Sequence, residues 1–288
     1  MENFLKSGHP FELEIGQKLE SLGFNVFREV EYLRESEGEI KPFTSDLIAT
    51  FEYGKHRFTL FVECKYSSED IPWVFVPDLS NMGALAARQH SFFSSYGHGQ
   101  LDQDKSWKIH LQLIKEFGPF ASQGFELRAK KTEDFLIKKA IYQSAFPNFY
   151  HRILGYFGSN FRTSKYYSQF TYHNISIIMT SSKLFCLNQN MFLDNVKQAN
   201  TIADISEEVD SVILNVPFSF EFRNYLSWLI GNIDDKENQQ KEIFQIQRYI
   251  FPFPFSLLVI GESDHGNTLK NLKSFLYKVR NCYLKQFK

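Results

Sequence analysis

Ser45-Asp46-Leu47-Ile48-Ala49 and Phe61-Val62-Glu63-Cys64-Lys65-Tyr66 are two β-rich runs linked through Tyr53-Gly54-Lys55-His56, and their register decides how the chain is read. A glycine opens the two-residue link, as in the type II′ turns that close tight hairpins. If Tyr53 faces His56, counting back along both strands brings Asp46 opposite Glu63. Side chains alternate with a period of two, so Lys65 projects from the same face one step further on. Two carboxylates and an ammonium then converge from adjacent strands, a trio that a purely structural hairpin does not require. Ile48 and Phe61 share that face, so the acids have apolar neighbours, where a charge needs a partner or a ligand.

Working outward, Pro10 opens a helical pattern in which Phe11, Ile15, Leu19 and Leu22 share one face, and Gly23 follows as a stop. Phe24 to Val30 has the aromatic and β-branched content of a strand, so the opening order is helix, strand, strand, strand. Ile71 to Pro77, bounded by prolines, reads as a short edge strand. A helix is expected from Met82 to Phe93, followed by a polar loop from Gly97 to Asp104. From Thr132 the positions Phe135, Leu136, Ala140, Ile141 and Ala145 recur at helical spacing, with Thr132 and Asp134 as caps and Pro147 as the limit. Strands are expected at Ile175 to Met179, Leu184 to Leu187, Ser211 to Val216 and Leu257 to Ile260. Asp194 to Asp210 reads as a loop or short helix. Helices are expected at Phe220 to Ile230, Glu242 to Tyr249 and Leu269 to Leu284, and Asn232 to Gln240 as a polar surface loop.

The chain has 288 residues, 43% of them apolar, enough for one large domain or two modest ones, and its formal net charge is −1. A near-neutral protein meets nucleic acid through a local basic face rather than a global field. Its 31 Phe supply buried area but identify no partner. Cys64, Cys186 and Cys282 lie far apart without CxxC spacing, which argues against a zinc knuckle or disulfide framework and leads us to expect a reducing, cytoplasmic setting. Met1 to Gly8 has no basic segment followed by an apolar run, so no secretory signal is expected. Phe251 to Ile260 contains two prolines and is too short to cross a bilayer, so no membrane span is expected.

The trio suits phosphodiester hydrolysis. Carboxylates bind magnesium or manganese, which prefer oxygen ligands and keep several waters. Asp46 and Glu63 supply two ligands, the backbone carbonyl of Cys64 can add a third, and Lys65 can orient the attacking water or steady the developing charge. Without a cation the two acids would raise one another's pKa, so metal-dependent stability is expected.

Asp46 followed after a short hairpin by Glu63-Cys64-Lys65, with a preceding helix carrying Phe11-Glu12 and a strand after Gly23-Phe24, resembles the PD-(D/E)xK nuclease superfamily in its restriction-endonuclease-like branch. The resemblance spans about residues 8 to 77. It implies an α/β fold, a restriction-endonuclease-like core with a mixed central sheet flanked by helices, and Mg²⁺-dependent cleavage of DNA, with Mn²⁺ able to substitute. It also implies an acidic residue on the first helix that joins the metal shell. By position this is Glu12, with Glu14 as the neighbouring alternative. Lys139-Ala140-Ile141-Tyr142-Gln143 is similar to a helix on which related nucleases place a glutamine facing the site, which makes Gln143 an accessory candidate. One departure is Ser45, where the superfamily's name pattern has proline.

The expectation is thus a single nuclease-like domain over residues 1–288, with its core motif at 8–77, a possible insertion at 78–130, and residues 190–288 extending the sheet and packing helices around it. The function expected is that of a metal-dependent deoxyribonuclease. DNA is the expected partner and a homodimer is possible, although no surface in the sequence identifies an interface. The competing readings are a catalytically silent protein of the same fold that binds nucleic acid or protein, and an unrelated α/β interaction protein. His98, Asp102 and Asp104 are explained by a polar loop without any metal chemistry. Arg128, Lys130, Lys131, Lys138 and Lys139, and Lys270, Lys273, Lys278, Arg280, Lys285 and Lys288, are the basic groups that can meet phosphates, against their ordinary role on solvated helix faces.

Overall fold

Helix α1 (His9–Ser21) begins at Pro10, whose fixed φ and missing N–H suit a helix's first turn, and buries Phe11, Ile15 and Leu19. It ends where Gly23 adopts φ +80°, the left-handed conformation that suits glycine. The structure is a computed structural model describing residues 7–36, 38–67, 71–78, 94–97, 116–128, 131–133, 135–157, 171–190, 193–217, 219–232, 255–262 and 265–284. The expected Met82–Phe93 and Glu242–Tyr249 helices lie outside the described residues. So do most of the Gly97–Asp104 and Asn232–Gln240 loops.

After α1 come β1 (Asn25–Ser36), β2 (Glu39–Tyr53), β3 (His56–Lys65), β4 (Trp73–Pro77), β5 (Ser94–Gly97), β6 (Phe120–Arg128), β7 (Lys131–Glu133) and helix α2 (Phe135–Phe157). Then follow β8 (Thr171–Thr180), β9 (Leu184–Leu187), α3 (Leu193–Gln198), β10 (Ser206–Val209), β11 (Ser211–Val216), α4 (Phe220–Gly231), β12 (Phe255–Ile260) and α5 (His265–Leu284). The strands form one mixed sheet in the order β1-β2-β3-β8-β12-β11-β6-β4-β9-β10, with β5 beside β8 and β7 beside β6. β1, β2 and β3 are antiparallel neighbours, whereas β3-β8 and β8-β12 are parallel.

Two cores lie on opposite faces of this sheet, giving an α/β protein with helices on both sides. On one face, Phe11, Ile15 and Leu19 of α1 and Leu269, Leu272, Phe275 and Leu276 of α5 cover Leu47, Leu60, Val62 and Ile177. Lys273 of α5 donates to the Leu22 carbonyl at the end of α1, tying the two helices together. On the other face, Ile137, Ala140, Ile141 and Ala145 of α2 and Phe222, Tyr225 and Leu226 of α4 cover Trp73, Ile178, Val212 and Val259. Among the described residues no helix is long and apolar enough to cross a membrane.

Several expectations need correction. β4 is not at an edge: it lies between β6 and β9, with Trp73 and Phe75 buried. Pro72 precedes the strand and Pro77 closes it at a register shift, so neither missing N–H interrupts its middle. Pro147 does not end α2, which runs on to Phe157. Tertiary packing on both sides of the proline offsets the lost hydrogen bond. Phe135 is exposed and Ile137 takes its place in the buried stripe, while Thr132 belongs to β7 and is no helix cap. Asp194 to Asp210 contains a strand, β10, as well as the short helix α3. β6, from within the 78–130 stretch, is an internal strand between β11 and β4.

Candidate active site

The β2/β3 ladder has the register expected of the hairpin, from Tyr53↔His56 to Leu47↔Val62. Asp46 and Glu63 are the next residue on each strand. Here the pairing changes character: the Cys64 N–H donates to Asp46 Oδ2 at 2.7 Å. A carboxylate oxygen thus terminates the ladder. Along the other edge of β3, the ladder to β8 continues to Lys65↔Thr180, and the Ser181 N–H donates to the Lys65 carbonyl at 3.1 Å. The N–H and C=O of one strand residue point to the same side and alternate along the chain. The Cys64 carbonyl therefore faces the β2 side, beside the Asp46 carboxylate.

Glu63 and Lys65 point toward α2. The Glu63 side chain is 1% exposed and that of Lys65 16%. Lys65 Nζ donates to Glu63 Oε1, and to Gln143 Oε1 at 3.0 Å. Among the described residues Glu63 Oε2 is buried with no hydrogen-bond partner. Burial, reinforced by the Asp46 charge, pushes the Glu63 carboxyl up to about 8 despite the Lys65 ammonium. Asp46 is also raised by burial, against the lowering effects of the Cys64 N–H and Lys65. Two carboxyl groups, one of them with an orphaned oxygen, share a site with Lys65.

Gln143 reaches Lys65 because α2 is anchored at two points. At its N-terminus the fully buried Glu126 of β6 accepts from the N–H groups of Leu136, at 2.6 Å, and Ile137, at 3.3 Å. This caps orphan donors of the first turn with a negative charge. Mid-helix, Ser144 Oγ donates to the Phe61 carbonyl at 3.2 Å, Ser176 Oγ donates to the Ser144 carbonyl at 3.1 Å, and Asn148 Nδ2 donates to Ser176 Oγ at 2.9 Å. Pro147 lacks the N–H that would bond the Gln143 carbonyl four residues earlier. These contacts join the turn carrying Gln143 directly to β3 and β8.

Glu12 stands slightly apart, on α1. Its negative charge raises Asp46, but its carboxylate pairs with His9 Nδ1 at 3.3 Å. Glu14 is 56% exposed and pairs with Lys18 at 2.5 Å, so of the two only Glu12 adjoins the site. The Cys64 thiol belongs to the α1-side core and is pushed up by burial, which leaves its backbone as the relevant group. Tyr66 packs near Phe11 at a ring separation of 6.3 Å.

No family model, curated protein or solved structure matches this chain.

Two further residues bear on the site. Tyr32 is buried in β1, and burial pushes its hydroxyl up to about 12, with Glu63 and Asp46 adding to the effect. Glu29 lies opposite Asp46 in the β1/β2 register, between the pairs Arg28↔Leu47 and Val30↔Ser45. It is the one non-glycine residue with positive φ, +52°, among the described residues. Arg28 consequently faces α1, pairing with Glu20 at 2.8 Å, whereas Tyr32 turns toward α2. A tyrosine and a glutamate in strands of ordinary composition carry no local signal of such placement.

Among the described residues no three His, Cys, Asp or Glu side chains form a closed metal-binding group. The donor set instead fits a hard cation that keeps waters and open positions: two carboxylates, one of them with an orphaned oxygen, and an adjacent carbonyl. The basic groups are dispersed. Lys278 pairs with Glu116 and Arg128 with Glu126, while Lys130, Lys285 and Lys288 lie outside the described residues, as do the side chains of Lys131 and Arg280.

Proposed function

We propose that this protein is a metal-dependent deoxyribonuclease with a restriction-endonuclease-like core. The observation that carries the reading is the orphaned, buried Glu63 Oε2 on the same sheet face as Asp46, with Lys65 held between Glu63 and Gln143. A buried carboxyl next to a second acid is costly without a cation or a proton. The arrangement makes sense as one half of a site completed by a divalent ion and a phosphate.

In this reading Asp46, Glu63 and the Cys64 carbonyl would hold Mg²⁺ or Mn²⁺, and Glu12 would add its negative charge from α1. The ion, when bound, supplies Lewis-acid polarisation of the phosphate and a lowered pKa for water. Lys65 orients the attacking water and counters negative charge as the phosphorane develops. Gln143 accepts from the ammonium and fixes where its remaining protons point. The apolar neighbours Ile48 and Phe61 keep bulk water from screening these charges.

The test is incubation of purified protein with single-stranded, duplex and branched DNA and with RNA, in Mg²⁺ or Mn²⁺, beside Lys65→Ala and Asp46→Ala. Cleavage is expected from the wild type alone. Equal residual cleavage in all three preparations would mark contamination and reject the reading.

A further inference from the structure

The sheet face that carries the carboxylates continues, toward the β2–β3 turn, into a cavity of about 280 Å³ between β1, β2, β3, β8 and His151 of α2. Its floor is ordered in cross-strand rows. Two residues beyond Asp46 and Glu63 lies an apolar row, Phe27↔Ile48↔Phe61. Two residues further is a polar row, Thr50↔Thr59↔Asn174. Arg57 follows at the far end, 31% exposed and 3.5 Å from Glu52. Each row is about 6.7 Å from the last, twice the rise per strand residue. The roof carries His151, whose ring stacks on Phe61 at 5.7 Å and whose Nε2 is buried with no hydrogen-bond partner among the described residues. Phe27, at the mouth, is 50% exposed.

A core does not need an exposed phenylalanine, a row of hydroxyl and amide groups, an unsatisfied imidazole nitrogen and an arginine around one void. A nucleoside matches that order: a flat apolar face for the rings, hydrogen-bonding groups one row on for their polar edges, and a cation beyond. We infer that this cavity receives one unpaired nucleoside of the DNA strand whose phosphate lies at Asp46 and Glu63, so that the substrate is single-stranded DNA or a frayed end and not a closed duplex. The inference rests on the nuclease reading for the placement of the phosphate. Bases inside a paired helix cannot enter such a void unless extruded, whereas an unpaired base gains stacking with aromatic side chains at no pairing cost.

The test separates binding from cutting. In a Glu63→Gln background, which stops cleavage, anisotropy is measured for a short fluorescein-labelled single strand and for the same sequence as a blunt hairpin duplex. The single strand is expected to bind at least about tenfold more tightly, and Phe27→Ala to remove about tenfold of that affinity. Thr59→Phe, which fills the cavity, should do the same. The exposed Phe27 variant keeps the test valid should the half-buried Thr59 variant fail to fold. Equal affinity for both forms, or single-strand affinity untouched by Phe27→Ala, overturns the inference even if wild type cuts DNA. Single-strand binding that depends on Phe27, in a protein that never cuts, would instead reject the nuclease reading and leave the nucleoside cavity standing.

Discussion

Lys65 Nζ lies 3.0 Å from the side-chain oxygen of Gln143, joining positions 78 residues apart in sequence across the junction between sheet and helix. The contact orders the ammonium that faces both carboxylates, and it exists only because α2 is seated on β3 and β8 by Ser144, Asn148 and Ser176.

Gln143→Ala removes an acceptor from Lys65 without touching either carboxylate. The expected outcome is a fall in kcat of about tenfold or more with KM little changed, as for groups that orient a reacting residue without contacting substrate. Steady-state cleavage kinetics read it. A changed KM with unaltered kcat would assign the glutamine to substrate binding instead.

The Glu63 carboxyl, at about 8 in the metal-free fold, lies above its ordinary value of 4.5. Between those values the folded state holds a proton that the unfolded chain has released, so the stability of the metal-free protein falls as pH rises through this window. A cation must displace that proton, and its affinity is expected to rise about tenfold per pH unit up to about pH 8 if one proton leaves. Melting temperature with and without Mn²⁺ at several pH values checks both trends. A metal at a hundred times its dissociation constant adds about 2.7 kcal/mol, and Glu63→Gln should abolish that gain. A metal-induced shift that is flat from pH 5 to 8 would mean that Glu63 is not a ligand.

Glu126→Ala strips the N-terminal cap of α2 and leaves two amide donors near β6 without their acceptor. Urea unfolding is expected to show a loss of about 1–3 kcal/mol, with weaker cleavage at temperatures where the protein remains folded, because Gln143 rides on the same helix. Unchanged stability would show that another group satisfies the first turn.

Glu29→Gly tests the strained residue opposite Asp46. A left-handed conformation costs a non-glycine residue about 1–2 kcal/mol, so the glycine variant is expected to be more stable by up to about that amount. Denaturant midpoints measure it. A loss of stability would mean that the Glu29 side chain contributes more than its backbone costs.

By itself the sequence determined the β2–β3 hairpin, its register, the α1 stripe and most of the strands. These follow from short-range rules: a turn glycine, a period of two, a period of 3.6, and a proline at a helix start. The shared face of Asp46, Glu63 and Lys65 was legible for the same reason, since it needs only a register and an alternation. Tertiary structure alone decided the rest. Whether Pro77 sits at an edge or inside a sheet depends on which strand pairs beside it. Whether Pro147 stops α2 depends on the packing on its far side. Glu29 and Tyr32 adjoin the carboxylates through a twist in β1 that no local pattern encodes. The union of Gln143 with Lys65, and the cavity beneath His151, require a helix and four strands from distant parts of the chain to meet, and only the burial of two cores on one sheet brings them together.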